Sequence, residues 1–111
     1  MGKRHVVKAS EVSGVKVKNN AGEYLGDINE VVLDKISGRV NYLVLDFGGF
    51  MGFGNKFFAI PWHLFNYNKE DDCFVLQIEK ERLKNAPGFD KDNWPNFADS
   101  SFASSLEKYY V

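Results

Sequence analysis

Apolar and charged residues alternate through VKVKN, Val15 to Asn19, which is the period of a half-buried strand. NAGE, Asn20 to Glu23, follows with turn chemistry. YLGDINEVVLD, Tyr24 to Asp34, then reads as a longer strand whose parity slips: Leu25 falls on one face, Ile28 and Val32 on the other. Gly26 sits at the slip, which predicts a bulge or a sharp bend there. After a turn at KISGR, Lys35 to Arg39, VNYLVLDF is the strongest strand pattern in the chain, Val40 to Phe47. Leu43, Leu45 and Phe47 share one face, and Val40, Tyr42 and Val44 share the other. A strand apolar on both faces needs cover on both sides.

The chain then reverses through a glycine-dense, aromatic stretch, FGGFMGFGNKFFAIPW, from Phe47 to Trp62. Lys56 to Trp62 reads as the returning strand, and Pro61, lacking an N–H, must end it or place it at an edge. HLFNYNKEDD, His63 to Asp72, reads as a short turn and a polar loop. CFVLQI, Cys73 to Ile78, is a further strand with Phe74, Leu76 and Ile78 inward. Glu79 to Gly88 reads as one or two helical turns stopped before Pro87. The remainder is polar with spaced aromatics, and Ser100 to Tyr110 has the spacing of a short amphipathic helix. Short strands separated by glycine turns predict an all-β fold, a small barrel or sandwich. The expected organisation is a flexible start over 1–8, a barrel domain over 9–88, and a tail over 89–111 that packs on the barrel or across a dimer.

A chain of 111 residues is one domain's worth and buries a core without needing disulfides or metal. The formal net charge of −1 lacks the strong basic excess of most nucleic-acid-binding domains. The start, MGKRHVVKAS, is too short and polar for a secretory signal. No apolar run approaches the ~18 residues of a membrane span. With a single cysteine, Cys73, the expectation is a cytoplasmic protein with no membrane association.

Candidate chemistry is sparse. Gly49 and Gly54 have the spacing of a phosphate-binding loop, but Asn55 stands where the lysine belongs, Lys56 comes one residue late, and a strand follows instead of a helix. The glycines instead read as a hairpin turn with Phe50, Met51 and Phe53 projecting at its tip. Exposed aromatics of this kind call for an occupant. His63 and His5 are isolated, without metal-ligand spacing. Cys73, beside Asp71 and Asp72, reads as a small buried hydrophobe and not a nucleophile. Asp46, interrupting an apolar strand, needs a partner, for which Arg39 and Lys56 are the candidates. Lys69 to Asp72 is a solvated turn. Asp92 or Asn93 reads as a local backbone cap, and Trp94 as the residue that docks the tail and gives the two-faced strands their second cover. No catalytic residue, metal ligand or cofactor site is expected. The candidate partner or dimer contacts are Phe50, Met51, Phe53, Trp62, Trp94 and Tyr109.

Three blocks carry a resemblance to a known family: ASEVSGVKVKNNAGEYLGDINEVVLD, GRVNYLVLDFGGFMGFGNKFFAIPW and FVLQIEKERLKNAPGFDKDNWP. From Ala9 onward the chain resembles the PRC-barrel family. That family includes small stand-alone bacterial and archaeal proteins, the cytoplasmic domain of the photosynthetic reaction-centre H subunit, and the C-terminal domain of a ribosome-maturation factor. The tail FADSSFASSLEKYY is similar to the end of the stand-alone members. The resemblance implies a six-stranded, SH3-like β-barrel with no shared catalytic residues. It implies contact with other macromolecules as the common activity.

The leading expectation is therefore a non-enzymatic binding or scaffold module that forms a homodimer or higher oligomer. It would contact a protein partner through the aromatic glycine-rich loop. One alternative is an RNA- or ribosome-associated maturation factor, using Lys3, Arg4, Lys8, Lys16 and Lys18 with Lys80, Arg82 and Lys84. The other is a quinone-associated role in electron transfer, like that of the reaction-centre relative.

Overall fold

The computed structural model describes residues 6–49 and 54–111. A short helix α1 (Ala9–Val12) precedes β1 (Lys16–Lys18), β2 (Tyr24–Leu33), β3 (Val40–Gly49) and β4 (Asn55–Pro61). A 3₁₀ turn over Trp62–Leu64 leads into β5 (Phe65–Asn68), then β6 (Cys73–Leu76), α2 (Lys80–Lys84) and α3 (Ser100–Tyr110). The six strands form one sheet in the order β4-β3-β2-β1-β6-β5. All neighbours are antiparallel except β1 and β6, which run parallel. The two end strands, β4 and β5, are not paired with each other, so the sheet is continuous but not closed by hydrogen bonds.

The bulge lies where the parity slip predicts it. Lys18 pairs with Tyr24 but Val17 pairs with Gly26, leaving Leu25 as the extra residue. The slip lets Leu25 and Ile28, three apart, both enter the core. A second irregularity at Asn29 then sends Val31 to the core and Val32 to the opposite face. β3 is buried on both faces, as its pattern requires, but Val40 packs on the main core instead of sharing Tyr42's face, because the register with β2 shifts between the two residues. Leu43 and Leu45 join the main core with Val17, Leu25, Ile28, Phe58, Ile60 and Leu76. Tyr42 joins a second cluster with Ala59 and Leu106.

That second cluster is the tail's contribution. Phe57 and Phe89 exchange backbone hydrogen bonds, N–H to C=O, at 2.8 and 2.9 Å, seating the start of the tail along β4. Asp99 caps α3 by accepting from the Ser101 backbone N–H at 2.9 Å. The helix then lays Phe102, Leu106 and Tyr110 over Tyr42 and Ala59. Burying a leucine such as Leu106 contributes about 2 kcal/mol.

Three local expectations are corrected. Residues Phe65–Asn68, read as part of a turn and loop, form the edge strand β5. Asx chemistry in the tail belongs to Asp90, whose carboxylate accepts from the Asp92 N–H and the Asn93 amide; Asp92 and Asn93 are the donors. The second cover of β3 comes mainly from α3 and Phe97. Trp94 docks on Phe57 and Phe89 and remains 40% exposed.

Candidate functional site

β3 and β4 end in a hairpin whose base is built around Asp46. Its carboxylate accepts from the Gly48 backbone N–H at 2.9 Å and from the Asn55 side-chain amide at 2.8 Å, joining the last turn of one strand to the first residue of the other. Neither Arg39 nor Lys56 is the partner. Lys56 donates to the Lys84 carbonyl at 3.1 Å and lies over the Phe58 ring. The reason is local. The register shifts between Asp46 and Gly49, and Gly48 takes φ +90°, which turns its N–H back onto the carboxylate two residues earlier. Phe47 packs edge-on against Phe58 beneath this clamp. Phe50, Met51 and Phe53, the expected tip aromatics, lie outside the described residues.

The other candidate contacts fall in separate places. Trp62 is 42% exposed and meets Phe74 edge-on. Tyr67, which the sequence analysis did not single out, is 50% exposed beside it and also meets Phe74. Its signal was alternation within FNYN, short enough to pass for loop. Trp94 sits across the molecule's tail with Phe57, Phe89 and Phe97. Tyr109 is engaged within the chain: its hydroxyl donates to the Arg82 carbonyl, and Arg82 donates to the Tyr109 carbonyl while stacking on its ring. This clasp joins the end of α3 to α2.

The titratable groups are structural in their surroundings. Cys73 is a free, buried thiol. His63 Nε2 lies 3.5 Å from Glu107 Oε1, tying the 3₁₀ turn to α3. Burial holds the Tyr110 phenol well above its ordinary value, and its hydroxyl has no hydrogen-bond partner among the described residues. A hydrogen bond to Asp27 is the main cause raising the Tyr24 phenol. No group of three or more His, Cys, Asp and Glu side chains is placed to hold a metal among the described residues.

A groove of about 290 Å³ between the β1–β2 turn and the β5–β6 hairpin is lined by Lys18, Asn19, Asn68, Asp71 and Cys73. Polar and apolar surface share its walls equally and no aromatic ring among the described residues lines it, a poor match to a quinone ring. Among the basic residues proposed for RNA, Arg82 is held by Tyr109, and Lys84 lies 3.9 Å from Glu81. Lys3 and Arg4 lie outside the described residues.

The strand order, the two-faced β3 and the glycine-rich hairpin coincide with a sequence match: the family model of the PRC-barrel domain fits residues 4–83. The chain belongs to the PRC-barrel domain family. Domains of this family are generally non-catalytic modules. No curated protein sequence matches this PRC-barrel chain. No helix among its described residues is long and apolar enough to cross a membrane.

Proposed function

We propose that this PRC-barrel protein is a binding module without catalytic activity that associates with itself and receives a protein partner at the β3–β4 hairpin. The observation that carries the reading is the Asp46 clamp. Two hydrogen bonds to one carboxylate hold the base of the hairpin, tying together the residues on either side of the aromatic sequence 50–53. A pre-set frame lowers the ordering cost of binding. Phe50, Met51 and Phe53 supply the kind of apolar anchors that dominate protein interfaces. The reaction is burial of apolar surface, with no bond made or broken.

The test compares wild-type protein and a Phe50→Ser/Phe53→Ser variant as affinity baits, each checked by thermal melting. The expected result is a partner held by the wild type and lost by the variant, with the melting temperature preserved. A partner that binds the variant with undiminished affinity would rule out the loop as the contact.

A further inference from the structure

The two edges of the sheet are treated differently. Along β4, Phe57 is paired with Phe89, and α3 lies over Ala59, which is 1% exposed. Along β5, nothing comparable occurs among the described residues. Which backbone groups are open there follows from the pairing. The Phe65 N–H is taken by the Trp62 carbonyl of the 3₁₀ turn. Hydrogen-bonded and non-hydrogen-bonded pairs alternate in an antiparallel ladder. Asn66 and Asn68 therefore turn their backbone groups toward β6, and Tyr67 turns its N–H and C=O outward. The parallel join of β6 to β1, through Val17 with Phe74 and Lys18 with Val75, requires the same alternation.

Edge strands are normally blunted by charge, proline or a bulge. The β5 sequence, Phe65-Asn66-Tyr67-Asn68, has no charge and no proline, and its register with β6 is unbroken. Shortness is the one guard it keeps. Trp62 and Tyr67, both exposed aromatics, flank the opening.

We propose that β5 pairs antiparallel with β5 of a second copy of this chain, across a two-fold axis at Tyr67. The Tyr67 N–H donates to the carbonyl of the partner's Tyr67, and the reverse bond is made by symmetry. A residue paired with its own copy is what an isologous interface demands. The charges select the direction. The β5–β6 turn carries Lys69 with Glu70, Asp71 and Asp72, a net negative charge, while His63 at the other end of the strand lies against Glu107. Antiparallel pairing keeps the two acidic turns at opposite ends, whereas parallel pairing would set them side by side. Trp62 and Tyr67 of both copies then share one aromatic surface over the seam. This inference rests on the self-association reading above and assigns it a surface.

The experiment measures the mass of the full chain by sedimentation equilibrium and the exchange of the Tyr67 amide as concentration rises. The expected result is a dimer whose Tyr67 amide slows by about tenfold or more as the dimer fills. Tyr67→Pro removes the outward donor without touching a bond to β6. It should weaken the dimer by about a hundredfold, while Tyr67→Val, which keeps the N–H, weakens it by about tenfold at most. A dimer whose Tyr67 amide exchanges at a rate independent of concentration overturns this surface and leaves self-association standing. A chain that stays monomeric at millimolar concentration overturns both and leaves the edge to an extended segment of a different protein.

Discussion

The backbone carbonyl of Asp46 occupies the place where a Cβ on residue 26 would stand, so Gly26 lets β2 and β3 approach at the bulge. Gly26 also takes φ +147°, a conformation that L side chains rarely adopt. Gly26→Ala therefore meets a steric conflict and a backbone conflict together, and the neighbour is backbone, which cannot swing aside. The expected cost is about 3 kcal/mol or more, read as a lower denaturant midpoint at unchanged slope. A variant as stable as the wild type would contradict the tight approach.

Leu106 is fully buried where α3 crosses Tyr42 and Ala59. Leu106→Ala is expected to cost about 2–5 kcal/mol, the range for buried leucines. Its specific signature is a loosened tail. Tryptophan fluorescence in the Trp62→Phe background, which reports Trp94 alone, should shift toward that of a solvated indole before the sheet unfolds.

Tyr110 makes the opposite kind of prediction. Its hydroxyl is buried without a partner among the described residues, and a buried polar group left unsatisfied is a standing cost. Tyr110→Phe should leave stability unchanged or raise it by about 1–2 kcal/mol. Alkaline titration provides the second check. The folded-state phenol is raised, by burial first and then by Tyr109, so its contribution is complete below the ordinary tyrosine value near 10 and declines as pH rises above it. The wild type should lose stability above about pH 10 more steeply than Tyr110→Phe.

Asp99 sets an acid limit on the tail. Hydrogen bonds from the Ser101 backbone N–H, and then from its hydroxyl, hold the Asp99 carboxyl below its ordinary value. A lowered folded-state value means the contribution is present above the unfolded value and is lost as pH falls through the folded one. Helix content should therefore drop below about pH 4. Asp99→Asn retains a capping side chain that does not titrate, and should flatten this part of the pH profile. An identical acid profile in the two proteins would assign the loss to other carboxylates.

Much of this architecture is readable from residue pattern. The two apolar faces of Val40 to Phe47 announce a second cover, and the spacing of Phe102, Leu106 and Tyr110 supplies the helix that provides it. The parity slip at Gly26 marks the bulge because an extra residue must reverse the alternation of side chains. The strand at Phe65–Asn68 is less legible. Four residues with two asparagines carry little periodic signal, and what makes them a strand is pairing with β6, a partner beyond a polar turn. The Asp46 clamp is hidden for a related reason. Charge suggests a lysine or arginine, whereas a bulge and a positive-φ glycine bring a backbone N–H and an amide closer. Trp62 and Trp94 were recognisable as candidates from residue type, but Tyr109's engagement with Arg82 depends on a fold contact between α2 and α3.

The parallel join between β1 and β6 also sets a timetable for the newborn chain. Lys18 must wait for Val75 before its strand has both neighbours, a delay of roughly 3–11 s at synthesis rates of 5–20 residues per second. The meander of β2, β3 and β4 needs only hairpin closures and can form earlier. Until Leu106 emerges, however, that meander shows the bare outer face of Tyr42 and Ala59 to water or to any chaperone near the ribosome. The arrival of α3 is thus what ends this face's exposure to aggregation during synthesis.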